Sequence, residues 1–226
     1  VRNVERAIEY ARMAAEREDV YGLQVLAEAY AEGIGVDQNS EKSIELYSVM
    51  AEAGDVGGLL SLGNIYENGL YGVQQDLKKA ASYYLEAASY GDTSAERAVG
   101  IYYLAGVGVQ QDAREGMKWL KAAANKDDPH ALRYLGRQYV SGVPSIGLKA
   151  DLKKAFSYLK KAADLGDAEA KADVATMYRN GFGVTRDDEA AVRYARDAAE
   201  NGIAAGELLY GLALGLGKGV PINPAE

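Results

Sequence analysis

The chain of 226 residues has no cysteine and a single histidine, which removes disulfide scaffolding, thiol catalysis and the usual structural zinc sets from consideration. No apolar run approaches the ~20 residues of a membrane-spanning helix, so membrane insertion is not expected. With a net charge of -8, the chain lacks the broad basic surface that phosphate backbones require, and nucleic acid is not an expected partner. The opening "VRNVERAIEYARMAAE" has the spacing of an amphipathic helix and not the basic and apolar regions of a signal peptide. The chain does not begin with Met, which points to an excised or processed fragment. Neither a cofactor nor a metal is expected.

What is present is a repeat. Tyr103, Gly106, Gly108 and Val109 in "YLAGVGV" recur as Tyr30, Gly33, Gly35 and Val36, and again as Tyr178, Gly181, Gly183 and Val184. Two further copies carry insertions, Tyr66 to Val73 and Tyr139 to Leu148, and in a last copy, "LGLGKGV", Leu214 stands where the tyrosine is expected. A fixed period of a few tens of residues marks a solenoid or array. Upstream of each tyrosine, a small residue precedes a large apolar one by four positions: Gly22 and Leu26, Gly58 and Leu62, Ala95 and Val99, Ala131 and Leu135, Ala170 and Val174, Gly206 and Tyr210. These offsets lie on one side of a 3.6-residue helix, here termed A. After each turn a second amphipathic stretch follows, such as "DLKKAASYYLEAASYGD", and predicts helix B. Ala87, Ala88, Ala162, Ala163, Ala198 and Ala199 on B, with Gly63, Gly100 and Gly136 on A, allow close helix approach. Asp76, Asp112, Asp151 and Asp187 are placed to cap B.

The motif A-x3-L-G-x2-Y-x2-G-x-G-V-x2-D-x2-K-A closely resembles the Sel1-like repeat (SLR), a relative of the tetratricopeptide repeat; "ALRYLGRQYVSG", "LLSLGNIYENG" and "DLKKA" carry it. Asp127 in place of the terminal Gly, Glu115 and Ala190 in place of Lys, and Leu214 in place of Tyr depart from it. The resemblance implies an all-α fold, a right-handed α-α superhelical solenoid of antiparallel helix pairs with helix A on the concave side. The expected organisation is one solenoid: a half repeat (helix B) at 1–19, full repeats at 20–55, 56–91, 92–128, 129–166 and 167–202, and a half repeat (helix A) at 203–226. The apolar segment "LLYGLALGLG" is a poor solvent cap for a solenoid and is expected to pack on further repeats or a second copy, through Leu208, Leu209 and Leu212.

A phosphate loop requires a glycine-rich turn from a strand into a helix, followed by Lys and Ser or Thr. Here the glycines follow helices, where Gly106 suits a left-handed helix end, so they are read as turns. "SYLK", Ser157 to Lys160, matches the S-x-x-K string of β-lactam-binding serine enzymes, but the period places both residues on the outer side of helix B without companion motifs. No catalytic residue is assigned.

In tetratricopeptide-type arrays the side of helix A opposite its buried side lines the groove. That stripe comprises Tyr21, Gln24, Glu28, Leu60, Asn64 and Glu67 in the early repeats, then Arg97, Ile101 and Leu104, then His130, Arg133 and Arg137, and finally Thr176 and Arg179. The arginines would form a wall for carboxylate or phosphate groups, since guanidinium reads these bidentately, with Ile101 and Leu104 as the apolar anchor. The inserted turn "SGVPSIGLKAD" is expected to project from the loop edge. These features favour a non-catalytic scaffold that binds a protein or peptide through its groove. A small-molecule-binding protein or hydrolase near Ser157, and a structural oligomerisation segment of a longer protein, are the alternatives. Composition leaves the compartment open; the family's abundance in bacteria and the frequent export of its members favour a periplasmic, envelope or secreted location.

Overall fold

The computed structural model describes residues 3–217; among these the regular structure is all-helical, with twelve α-helices and no named strand. The chain divides into two compact units, Val1–Asp112 and Ala113–Glu226. The first holds α1 (Val4–Ala15), α2 (Val20–Glu32), α3 (Ser40–Glu52), α4 (Val56–Asn68), α5 (Leu77–Ser89) and α6 (Thr93–Ala105). The second holds α7 (Ala113–Asn125), α8 (Pro129–Ser141), α9 (Leu152–Asp164), α10 (Ala168–Asn180), α11 (Asp188–Glu200) and α12 (Ala204–Leu216). Odd-numbered helices are B and even-numbered ones A. Within each unit, consecutive helices pack as antiparallel pairs. Lys218 and Gly219 of the last turn motif lie outside the described residues.

Capping sets where the helices begin. Asp76, Asp151 and Asp187 accept hydrogen bonds from the first backbone N–H groups of α5, α9 and α11. A second series, which the sequence reading missed, starts the A helices: Asp19, Asp55, Asp92, Asp128 and Asp167 each accept from the N–H three residues on, at 2.7–2.8 Å. Each such cap stabilises its helix by ~1 kcal/mol. The signal was an Asp three residues before the small residue of α2, α4, α6, α8 and α10; α12 has Ile203 there and no side-chain cap.

Glycine acts in the turns through sterics. Gly106 ends α6 in the left-handed conformation, and a Cβ on Gly108 would stand 2.0 Å from the Leu77 carbonyl oxygen, just as one on Gly183 would meet that of Leu152. The preceding B helix therefore occupies the space beside the second glycine. Asp127 shows the converse, holding φ 62° where four other repeats place Gly54, Gly91, Gly166 and Gly202 and the first places Glu18 at φ 58°, and its carboxylate pairs with Lys161.

Within the units, α2, α4, α8 and α10 are each wedged between two B helices. The first small residue faces the B helix before it, with a Cβ on Gly58 falling 2.6 Å from Met50 Cβ; the second faces the B helix after it, Gly63 against Tyr84 and Gly136 against Leu159, also 2.6 Å. Leu59, Leu62, Leu120, Leu132, Leu135 and Leu159 are sealed between these layers, each contributing ~1.5–3 kcal/mol through burial. The inserted turn does not simply project as expected. Val143 and Leu148 exchange backbone hydrogen bonds of 2.8 and 3.1 Å around a short 3-10 turn, Pro144–Ile146, which packs on α7. The bridge supplies backbone partners that a three-residue extension would otherwise leave to water.

Candidate binding face of the A helices

In the first unit the outward side of α2, α4 and α6 is largely neutral or acidic. Tyr21, Gln24, Glu28 and Asn64 are exposed, while Leu60, Glu67, Arg97, Ile101 and Leu104 are half-buried. Gln24 donates to Glu28 along one helix turn at 2.9 Å, and Asn68 donates to the Asn64 side chain at 2.7 Å. Glu67 bridges elements: its two carboxylate oxygens accept from the Tyr84 hydroxyl at 2.8 Å and the Tyr102 hydroxyl at 2.6 Å. Burial, and then the hydrogen bond to this carboxylate, push both phenols well above the usual tyrosine range. Tyr47, beneath the same face, is pushed up to about 12 by burial and by the charge of Glu28. Arg97 already has an interaction within the protein, so it is not a lone cation awaiting a ligand.

In the second unit the expected wall of free arginines is largely taken up inside the protein. The Arg133 side chain is only 11% exposed; its Nε donates to Asp167 at 3.0 Å and its Nη1 to Glu169 at 2.7 Å. Arg137 pairs with Asp173 at 2.8 Å and Glu169 at 3.2 Å, and His130 Nδ1 lies 2.9 Å from Asp167. Burial raises Asp173 despite Arg137 beside it. Burial acts to lower Arg137, but the bonds to Asp173 and Glu169 outweigh it and hold the guanidinium above its ordinary value. The physical reason is the close spacing of neighbouring A helices, which places stripe residues of α8 against the acidic first turns of α10. Asp167 serves both as the α10 cap and as the counter-ion of Arg133.

Arg179 differs from its neighbours in the stripe. It is exposed, forms no ion pair among the described residues, and stands at the rim of a cleft of about 360 Å³ between α10, α11 and α12. Ala175, Ala191, Ala195, Leu209 and Leu212 give this cleft its apolar wall, and Arg186, held by both oxygens of Asp188 at 2.8–2.9 Å, joins Arg179 at its edge. The sequence reading found Arg179 through the stripe, but not the leucines of α12 beside it. A few polar groups converging on an apolar concavity are what a ligand site needs.

The Ser157 region lacks the parts of a serine nucleophile. Ser157 is exposed, while Lys160 donates to both oxygens of Asp164 at 2.6 Å and lies over the Tyr194 ring. Burial works to lower the Lys160 ammonium, but the bonds to Asp164 and Tyr194 raise it overall, opposite to the direction a general base requires. No group of three or more His, Cys, Asp or Glu suited to a metal occurs among the described residues, and no helix among them is long and apolar enough to cross a membrane.

The family profile described as Sel1 repeat matches residues 1–19, 21–55, 58–92, 93–128, 129–167 and 168–203. Among solved structures, a Sel1 repeat protein from Oxalobacter formigenes is similar at 27% identity with a TM-score of 0.84, covering 98% of this chain and 87% of that one. A putative sel1 repeat protein from Klebsiella pneumoniae is similar at 20% identity and a TM-score of 0.52, over 90% of this chain and 97% of that one. The immunity protein PA5088 from Pseudomonas aeruginosa shares 19% identity and a TM-score of 0.53, over 91% of this chain and 76% of that one; at such identities the likeness concerns the fold. No curated protein matches the chain.

Proposed function

The chain belongs to the Sel1 repeat family, and from that premise we propose that it is a non-catalytic scaffold whose A-helix face binds a protein or peptide segment, anchored in the second unit. The observation that carries this reading is the cleft between α10, α11 and α12, which combines an apolar wall with Arg179 at its rim. An apolar side chain would fill the cleft, and an adjacent carboxylate or phosphate would meet Arg179, the bidentate geometry supplying direction. Arg133, Arg137 and His130 act as the support that fixes α8 against α10.

Selection of a displayed random-peptide library on the immobilised chain tests this. Enriched peptides should pair an apolar residue with an acidic one and lose at least about tenfold in affinity, on the order of 1.4 kcal/mol, against Arg179→Glu. Peptides that bind Arg179→Glu as well as the parent chain would place the binding face elsewhere.

A further inference from the structure

Among the described residues, the side of α12 that would meet a following B helix is open, whereas the same side of α4 and α8 is covered. Its first small residue, Gly206, is packed as in other repeats, a Cβ there falling 2.5 Å from Ala198 Cβ. Gly211, five residues on, has the register of Gly63 and Gly136, whose notches are filled by Tyr84 and Leu159 of the following B helix. Among the described residues, nothing lies within 4 Å of a Cβ on Gly211. Leu214 has the register of Tyr66, Tyr139 and Tyr178, each stacked on a B-helix tyrosine at 5.5–5.9 Å, yet it is 51% exposed.

Helix α1 is the complementary half. Ile8 and Ala11 pack toward α2, while Ala7, Tyr10 and Ala14 take the register of Ala155, Tyr158 and Ala162 on α9, the side that meets an A helix of the same repeat. Ala155 and Ala162 are fully buried, whereas Ala7 is exposed and Tyr10 is 63% exposed. Arg6 has the register of Lys79 and Lys154, whose ammonium groups lie 4.8 and 4.7 Å from the rings of Tyr66 and Tyr139. A cation of α1 stands one turn from the position that matches Glu207. Exposed Glu207 stands in the register of Lys171, which reaches Asp197 on α11 at 3.8 Å; Met13 takes the place of Asp197 on α1, and Arg17 follows one turn later.

We propose that α12 of one copy docks on α1 of a second copy and completes a repeat across the seam. Ala7 and Ala11, in the register of the Ala155 and Leu159 that line the Gly136 notch, lie over Gly211, Tyr10 covers Leu214, and Arg17 reaches back one turn toward Glu207. The template is the pairing the chain makes internally between α8 and α9. This interface is heterologous, so successive copies add head to tail. It uses a different side of α12 from the Arg179 cleft, so either reading can fail while the other stands.

Light scattering of the whole chain should show a mass that climbs with concentration past that of a dimer. Gly211→Arg adds a side chain whose Cβ has no described atom within 4 Å, and Tyr10→Glu charges an exposed site, so both variants should keep the parent circular dichroism. Each alone should remain monomeric, while an equal mixture of the two should form dimers and stop there, because one intact α12 and one intact α1 remain. A parent chain that stays monomeric throughout would overturn the proposal. So would a Tyr10→Glu chain that still self-associates, since that assembly would join α12 to α12.

Discussion

In the first unit neighbouring repeats are joined across their A helices by phenols; in the second, by guanidinium groups. Glu67 gathers the hydroxyls of Tyr84 and Tyr102, whereas Asp167, Glu169 and Asp173 gather Arg133 and Arg137. The helical scaffold beneath is the same, with the same small residues and the same Asp caps. The repeat therefore fixes where A helices approach one another but leaves the chemistry of that approach free. A neutral phenol adds a hydrogen bond with little desolvation penalty, while a buried guanidinium must have its charge matched nearly in full. That demand explains why Arg133 and Arg137 are matched by internal acids, while the exposed Arg179 forms no ion pair among the described residues.

Removing a partner from the charged junction should have the largest effect. Arg133→Ala leaves Asp167, only 2% exposed, without its main counter-ion and should destabilise the second unit by about 3 kcal/mol, read as a lower urea midpoint. In the first unit Tyr102→Phe removes one hydrogen bond to a half-buried carboxylate that water can reach, so the loss should be about 1 kcal/mol. Equal losses at the two sites would erase the distinction.

Alkaline pH should separate the units further. Tyr84 and Tyr102 are held above their ordinary value of 10.0, so the fold favours the protonated phenol. That stability is complete below pH ~10 and is lost as pH rises beyond it. Hydrogen exchange in α4 to α6 should therefore accelerate before that in α8 to α10, and Glu67→Gln should reduce the difference. The smallest change concerns a backbone position. Asp127→Gly relieves the left-handed conformation and should stabilise the second unit by about 0.5 kcal/mol, the exposed pair with Lys161 giving back little; thermal denaturation resolves the sign.

The helical alternation was legible because Leu62, Leu135 and their equivalents recur with small residues at fixed offsets, and burial enforces that pattern in every repeat. The stripe was legible as a register but not as a surface. Periodicity identifies which side of α8 Arg133 occupies; it contains no information on how close α10 approaches or that its first turn is acidic. The Asp167 cap was visible three residues before Ala170, yet its second role with Arg133 depends on a contact 34 positions away. The Arg179 cleft needed the side of α12, whose leucines read in sequence only as excess apolar surface.

The central claim is that Arg179 serves a ligand while Arg137 serves the fold. Fluorescence anisotropy with one library-selected acidic peptide, titrated against Arg179→Gln and Arg137→Gln in parallel, tests it most directly. Arg179→Gln should weaken binding about tenfold with an unchanged unfolding midpoint, and Arg137→Gln should lower the midpoint while affinity shifts by less than about twofold, under 0.5 kcal/mol. Loss of affinity confined to Arg137→Gln, with Arg179→Gln binding as the parent does, would contradict the account.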